Sequence, residues 1–217
     1  MGNRGEKIDF NLYLITDRKQ VSPRYWGQIL NLSPVVEDAL KGGVKAVQLR
    51  EKGLSGRELF ELAKDLRAIT NKYKAKLFIN DRVDIAIAVD ADGVHLGQTS
   101  FSVVDARKLL GSKKLIGVST HSMQEALKAE KQGADFITLG PVFYTESKAR
   151  YGKPLGIEKL KEAVNAVHIP VFAIGGMKLK NIKEVMAAGV NGVAMISEVI
   201  KAKNPKVMVR NLLEEIQ

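Results

Sequence analysis

The chain has 217 residues, 45% hydrophobic and 27% charged, with 34 Lys and Arg against 24 Asp and Glu for a formal net charge of +10, and no cysteine. That length and apolar content suit one sizeable core, and the missing thiols exclude a disulfide framework, thiolate metal sites and cysteine nucleophiles. Polar opening residues without a signal-peptide segment, and no apolar run of membrane-spanning length, lead to the expectation of a soluble, cytoplasmic protein without a membrane partner.

Apolar runs recur at residues 11–16, 45–49, 76–80, 93–96, 114–119, 136–139, 169–174 and 192–196, which predicts eight strands. Between most of them lie segments with apolar residues at three- and four-residue spacing, such as Leu59, Leu62, Ala63, Leu66 and Ile69; the short stretch 83–89 is the exception. Gly43, Gly133 and Gly189 each stand just before a strand and read as helix C-caps. Strands apolar on both faces that alternate with amphipathic helices form a parallel sheet, and eight such units close into a barrel. An open doubly wound sheet would carry a glycine-rich phosphate loop after its first strand, where Thr16-Asp17-Arg18 stands instead. The chain is therefore read as α/β, a single-domain (β/α)8 TIM barrel over residues 11–217 after an N-terminal extension, 1–10.

The active site of such a barrel lies at the carboxyl ends of its strands, so the residues after each run carry the chemistry. Gln48-Leu49-Arg50-Glu51-Lys52 turns a buried strand into a charged cluster, and two cations there call for an anion. Asn80-Asp81 reads equally as a helix cap or as a magnesium ligand. Gly175-Gly176, paired with Ser197 at a helix start after the eighth strand, reads as a phosphate site. His121 follows the fifth strand at the same end and suits acid–base work, whereas His95 inside a strand reads as a core residue and His168 as structural. None of the three histidines has an evident serine or acidic partner nearby to make a triad. The long polar loop from Gly140 through Lys148 to Pro154 reads as a lid. Elsewhere Lys and Arg interleave with Glu and Asp and aromatic content is only 6%, so no nucleic-acid partner is expected.

Taken together, Val47-Gln48-Leu49-Arg50-Glu51-Lys52, Asn80-Asp81, Gly93-Val94-His95-Leu96-Gly97-Gln98, Gly117-Val118-Ser119, the 140–148 loop and Gly175-Gly176 resemble the motifs of the thiamine phosphate synthase family, in order along nearly the whole chain. The resemblance implies a magnesium-dependent transferase. It would join hydroxymethylpyrimidine diphosphate to thiazole phosphate, through loss of pyrophosphate to a pyrimidine methyl cation. It implies that Gln48, Arg50, Lys52, Asn80, Ser119 and Lys148 bind the diphosphate, that Asp81 holds Mg2+, and that Thr145, Ser147, Gly176, Ile196 and Ser197 hold the thiazole phosphate. Leu49, Glu51 and Glu146, inside the matched motifs, are expected at the substrate site, with Arg50, Lys52, Ser119, Lys148 and His121 closest to the chemistry. Ser100 stands where the family usually has a second acidic magnesium ligand, and a hydroxyl binds magnesium more weakly than a carboxylate. A sister group, the thiazole tautomerases, also lacks that acid and uses a histidine at the position of His121; it is the alternative, with a non-catalytic thiazole-phosphate-binding paralogue third. The partners implied are small phosphorylated substrates, and a homo-oligomer is compatible with the chain.

Overall fold

The computed structural model describes residues 8–22, 32–145 and 153–217. Eight strands, β1 (Leu12–Ile15), β2 (Ala46–Leu49), β3 (Lys76–Asn80), β4 (Gly93–Leu96), β5 (Leu115–Thr120), β6 (Phe136–Leu139), β7 (Val171–Ile174) and β8 (Gly192–Met195), pair in parallel in sequential order and close into a barrel. Closure is made by β8 against β1, with Tyr13 in register with Ala194. The helices are α1 (Ser33–Gly42), α2 (Gly56–Lys72), α3 (Val83–Ala88), α4 (Val103–Leu110), α5 (Met123–Gln132), α6 (Gly156–Ala166), α7 (Ile182–Met186), α8 (Ser197–Ile200) and α9 (Pro205–Ile216). The expected (β/α)8 barrel is the observed one, and 83–89 is the short helix α3.

Local signals explain the element ends. Ser55 and Glu58 form a reciprocal capping box at the start of α2, whose buried stripe is Leu59, Leu62, Ala63, Leu66 and Thr70. Gly43 and Gly133 close α1 and α5 in the left-handed conformation, as expected, while Gly189 takes positive φ two residues beyond the α7 C-cap Ala187.

Strand residues alternate between two cores. Leu12, Leu14, Val47, Leu49, Leu77, Ile79, Val94 and Ile137 point outward into the layer shared with the helices. Tyr13, Ile15, Ala46, Phe78, Leu115, Phe136, Phe172 and Ala194 fill the barrel interior. Phe10 joins this inner group, stacked on Phe172 at 5.0 Å and edge-on to Phe78 and Phe136 at 5.9 and 5.8 Å. The packed unit thus begins before the expected boundary at residue 11, because Phe10, only 6% exposed, plugs the amino end of the barrel.

Gly117 on β5 is required by this packing. A Cβ there would lie 2.4 Å from Phe136 Cζ and 2.6 Å from His95 Nδ1, so a side chain must push apart an aromatic ring and an imidazole in a filled interior. Gly117→Ala should therefore lower unfolding stability by about 3 kcal/mol in urea titration; a loss below about 0.5 kcal/mol would contradict the packing described.

Candidate active site

At the β1–β2 corner, Glu51 ties two loops together. Its carboxylate accepts from the Thr16 hydroxyl at 2.7 Å and from the Arg18 backbone N–H at 3.0 and 3.1 Å, while Thr16 Oγ1 accepts from the Arg50 N–H at 2.9 Å. Burial raises the Glu51 carboxyl above the ordinary carboxylate range, and the Thr16 and Arg18 hydrogen bonds oppose that rise. The side chain of Glu51, expected at the substrate site, is 2% exposed, and its oxygens engage the β1 loop. The side chain of Leu49, also expected there, faces the helices in the outer core. What the corner leaves at the mouth is Arg50 and Lys52. They line a cavity of about 170 Å3 with Asp17, Lys19 and Glu51, and no carboxylate among the described residues stands within ion-pair distance of either cation.

At the β3–β4 corner Asp81 takes φ 61°, a left-handed conformation uncommon for a non-glycine residue. It does not cap α3, whose N-cap is Arg82 without a side-chain bond. Instead its N–H donates to the His95 carbonyl at 3.0 Å, and its carboxylate accepts from the Gly97 N–H at 3.0 Å, from Asn80 Nδ2 at 2.7 Å and from the Ser100 hydroxyl. The structure thus brings both expected metal residues together. Among the described residues no cluster of three or more His, Cys, Asp and Glu has metal-binding geometry. One carboxylate and one hydroxyl, oxygen donors only, suit a hard cation that takes its remaining ligands from phosphate and water, as magnesium does.

Beneath the mouth lies a buried polar layer that rests on the aromatic plug. Gln48 Nε2 donates to the Tyr13 hydroxyl at 3.1 Å, and Tyr13 Oη lies 3.5 Å from His95 Nδ1. His95 Nε2 lies 3.0 Å from Ser119 Oγ and 3.4 Å from Thr138 Oγ1. His95 is the core residue expected, 1% exposed, and burial pushes its pKa down to about 3, with the Asp81 charge opposing and Arg50 assisting. Two of the histidines have one such partner each: Ser119 meets His95, and Glu125 lies 3.1 Å from His121 Nδ1. Spacing concealed the first pair, but the second joins His121, just before the α5 N-cap Ser122, to Glu125 in the first turn four residues on, and was available to sequence reasoning. His168 donates its backbone N–H to Glu130 at 2.7 Å, which agrees with a structural role.

At the opposite side of the mouth the loops after β6 and β7 interlock. Gly176 has φ 70°, and a Cβ on it would lie 2.6 Å from Phe143 Cβ. The Phe143 N–H donates to the Gly175 carbonyl at 3.0 Å, which sets the segment leading to Thr145 against the glycine pair. Glu198 on α8 accepts the Leu179 N–H at 3.2 Å and so joins the β7 loop to the turn holding Ile196 and Ser197. Among the described residues, the N–H groups of Gly176 and Ser197 donate to no backbone carbonyl. Glu146, Ser147 and Lys148, with the rest of the expected lid, lie outside the described residues.

A closed parallel barrel with an oxygen-donor pair and, among the described residues, cations without ion-pair partners and backbone N–H groups without carbonyl partners at the carboxyl ends of its strands defines a barrel enzyme for anionic, phosphorylated small molecules. A family model described as thiamine monophosphate synthase matches residues 12–199, and the chain belongs to that family. A Geobacter sulfurreducens protein named provisionally as a thiamine-phosphate synthase is 54% identical over 207 residues, 95% of this chain and 94% of its own. The thiamine-phosphate synthase of Clostridium novyi is 46% identical over 194 residues, 89% and 92% of the two chains. Among solved structures, a thiamine phosphate pyrophosphorylase from Pyrococcus furiosus superposes with a TM-score of 0.85 at 39% identity, covering 98% of this chain and 96% of its own. A 3-hexulose-6-phosphate synthase, at 18% identity and a TM-score of 0.70, shares the fold.

The neutral His95 has a consequence for stability. Its folded pKa of about 3 lies below the ordinary 6.5, so as pH falls through 6.5 the unfolded chain takes up a proton that the folded one refuses. Its contribution is complete above that pH and is lost toward the folded value, at up to about 1.4 kcal/mol per pH unit. In urea titrations between about pH 6.5 and 4, His95→Gln should flatten the fall in stability. An unchanged slope would show that the ring is not held neutral.

Proposed function

We propose that this mouth joins hydroxymethylpyrimidine diphosphate to thiazole phosphate, giving thiamine phosphate and pyrophosphate. The observation that carries the reading is Arg50 and Lys52, two cations without a carboxylate partner among the described residues, at the same mouth as the Gly176 and Ser197 N–H groups, which among those residues donate to no backbone carbonyl. In this arrangement Arg50 and Lys52 neutralise the diphosphate, and Asn80 and Ser119 donate to its oxygens. Gly176, Ile196, Ser197 and Thr145 seat the thiazole phosphate, with Glu146, Ser147 and Lys148 assigned to the same mouth by family resemblance. Holding both partners in one mouth supplies the orientation that the reaction needs.

Asp81 and Ser100 would hold Mg2+, which when bound offsets charge on the departing diphosphate. In the bond change, the pyrimidine methylene carbon loses its C–O bond with the electron pair going to the diphosphate oxygen. The thiazole nitrogen lone pair then forms the new C–N bond. No proton moves to the protein, which leaves His121 and its Glu125 partner beside this step rather than in it. The relatives at 46% identity and above bear the synthase name, firm or provisional, and so weigh against a tautomerase or a non-catalytic binder. A cytoplasmic setting, where small phosphorylated metabolites are made and used, suits the reading.

Purified protein given both substrates and Mg2+ should release thiamine phosphate and pyrophosphate in equal amounts, and absence of both would sink the proposal. Arg50→Ala should lower kcat/KM for the diphosphate by about 100-fold, the loss of a charge-assisted contact of about 3 kcal/mol. Ser100→Asp should lower the Mg2+ concentration for half-maximal rate by about tenfold, as a second carboxylate joins Asp81.

A further inference from the structure

The polar layer under the mouth is a continuous chain of contacts from Gln48 through Tyr13 and His95 to Ser119, with steps of 3.1, 3.5 and 3.0 Å. A neutral imidazole carries one N–H, so one of its nitrogens donates and the other accepts. The hydrogens can therefore run in two self-consistent directions. In the first, Gln48 Nε2–H donates to Tyr13, the Tyr13 O–H to His95 Nδ1 and His95 Nε2–H to Ser119 Oγ, which leaves Ser119 its own hydrogen to give away. In the reverse, with the carboxamide turned over, Nε2 accepts from Ser119 at 3.0 Å or from Thr138 at 3.4 Å, and when Ser119, the nearer, gives its hydrogen it keeps only lone pairs. Mixed patterns leave either the phenol hydrogen without an acceptor among Phe10, Phe78, Phe136 and Phe172 or His95 Nδ1 without a donor, at a cost of about 1–3 kcal/mol.

The carboxamide stands with Nε2 toward Tyr13, which is the first direction. An ionised phosphate oxygen accepts and never donates, so an anion at Ser119 selects that direction too. Burial raises Tyr13 well above its ordinary range, so the phenol keeps its hydrogen. Gly117, having no side chain, leaves the space in which the ring meets both partners; a Cβ there would lie 2.6 Å from Nδ1. We propose that Tyr13 and His95 are positioning residues: through the Nε2–H tautomer of His95 they fix the Ser119 hydroxyl as a donor aimed at the diphosphate. The inference rests on the diphosphate reading of the mouth.

Long-range proton–nitrogen NMR of nitrogen-15-labelled protein, with His95 identified by the signals that vanish in His95→Gln, should find the Nε2–H tautomer in the magnesium pyrophosphate complex. Calorimetry with magnesium pyrophosphate should show Tyr13→Phe weakening binding by about tenfold, and Ser119→Ala by at least as much. The double variant should bind no more weakly than Ser119→Ala, since Tyr13 acts through the serine. Ser119→Thr, which keeps the hydroxyl, should retain most of the affinity. An Nδ1–H tautomer, unchanged binding by Tyr13→Phe, or additive losses would overturn the proposal while leaving the synthase reading standing. Failure of the unaltered protein to bind pyrophosphate at all would overturn both.

Discussion

Five aromatic rings, Phe10, Tyr13, Phe78, Phe136 and Phe172, fill the amino end of the barrel, and the other end is built on them. A closed parallel sheet must fill its own interior, and bulky rings do so with few residues. Because the rings occupy the lower layers, the layer above them can be polar. Tyr13 belongs to both, its ring packed among phenylalanines and its hydroxyl facing Gln48 and His95. The binding mouth thus stands on a floor with no freedom to sag, and Gly117 shows how little slack that floor has.

Above the floor, charge is sorted by what each group touches. Of the acidic residues that follow strands, Glu51 is bound into the β1 loop and Asp81 into the turn after β4. Their cationic neighbours Arg50 and Lys52 have no such engagement among the described residues. Carboxylates that brace the loops leave cations to meet the ligand, and those cations draw anions in while screening against cationic competitors. The Ser100 hydroxyl keeps this balance more positive than a second acid would.

Much of this was legible in the sequence, for reasons that lie in particular residues. Strands buried on both faces stand out as apolar runs, and the stripe at Leu59, Leu62, Ala63 and Leu66 could belong only to a helix lying on a core. The glycines before β2 and β6 had one use, the left-handed cap. The cluster at Gln48 to Lys52 announced an anion, but spacing could not divide its members. Glu51 looks as available as Arg50 until Thr16 and Arg18, some thirty-five positions earlier, are seen to hold it. Leu49 is a strand residue of the wrong parity, which alternation along β2 could have revealed. The layer of Tyr13, His95, Ser119 and Thr138 draws one residue from each of four strands, so no local pattern carries it.

The ring of Phe10 stacks on that of Phe172, and most of the chain lies between them. A contact that bridges such a span closes a very large loop before it returns any packing energy, so it forms late. On a ribosome, the segment that plugs the barrel emerges before β7 and β8 and must wait for them before its ring has a place to go. Until then an aromatic side chain and the open edge of β1 are exposed together, which makes the interval before closure the part of this protein's life most open to association with other chains.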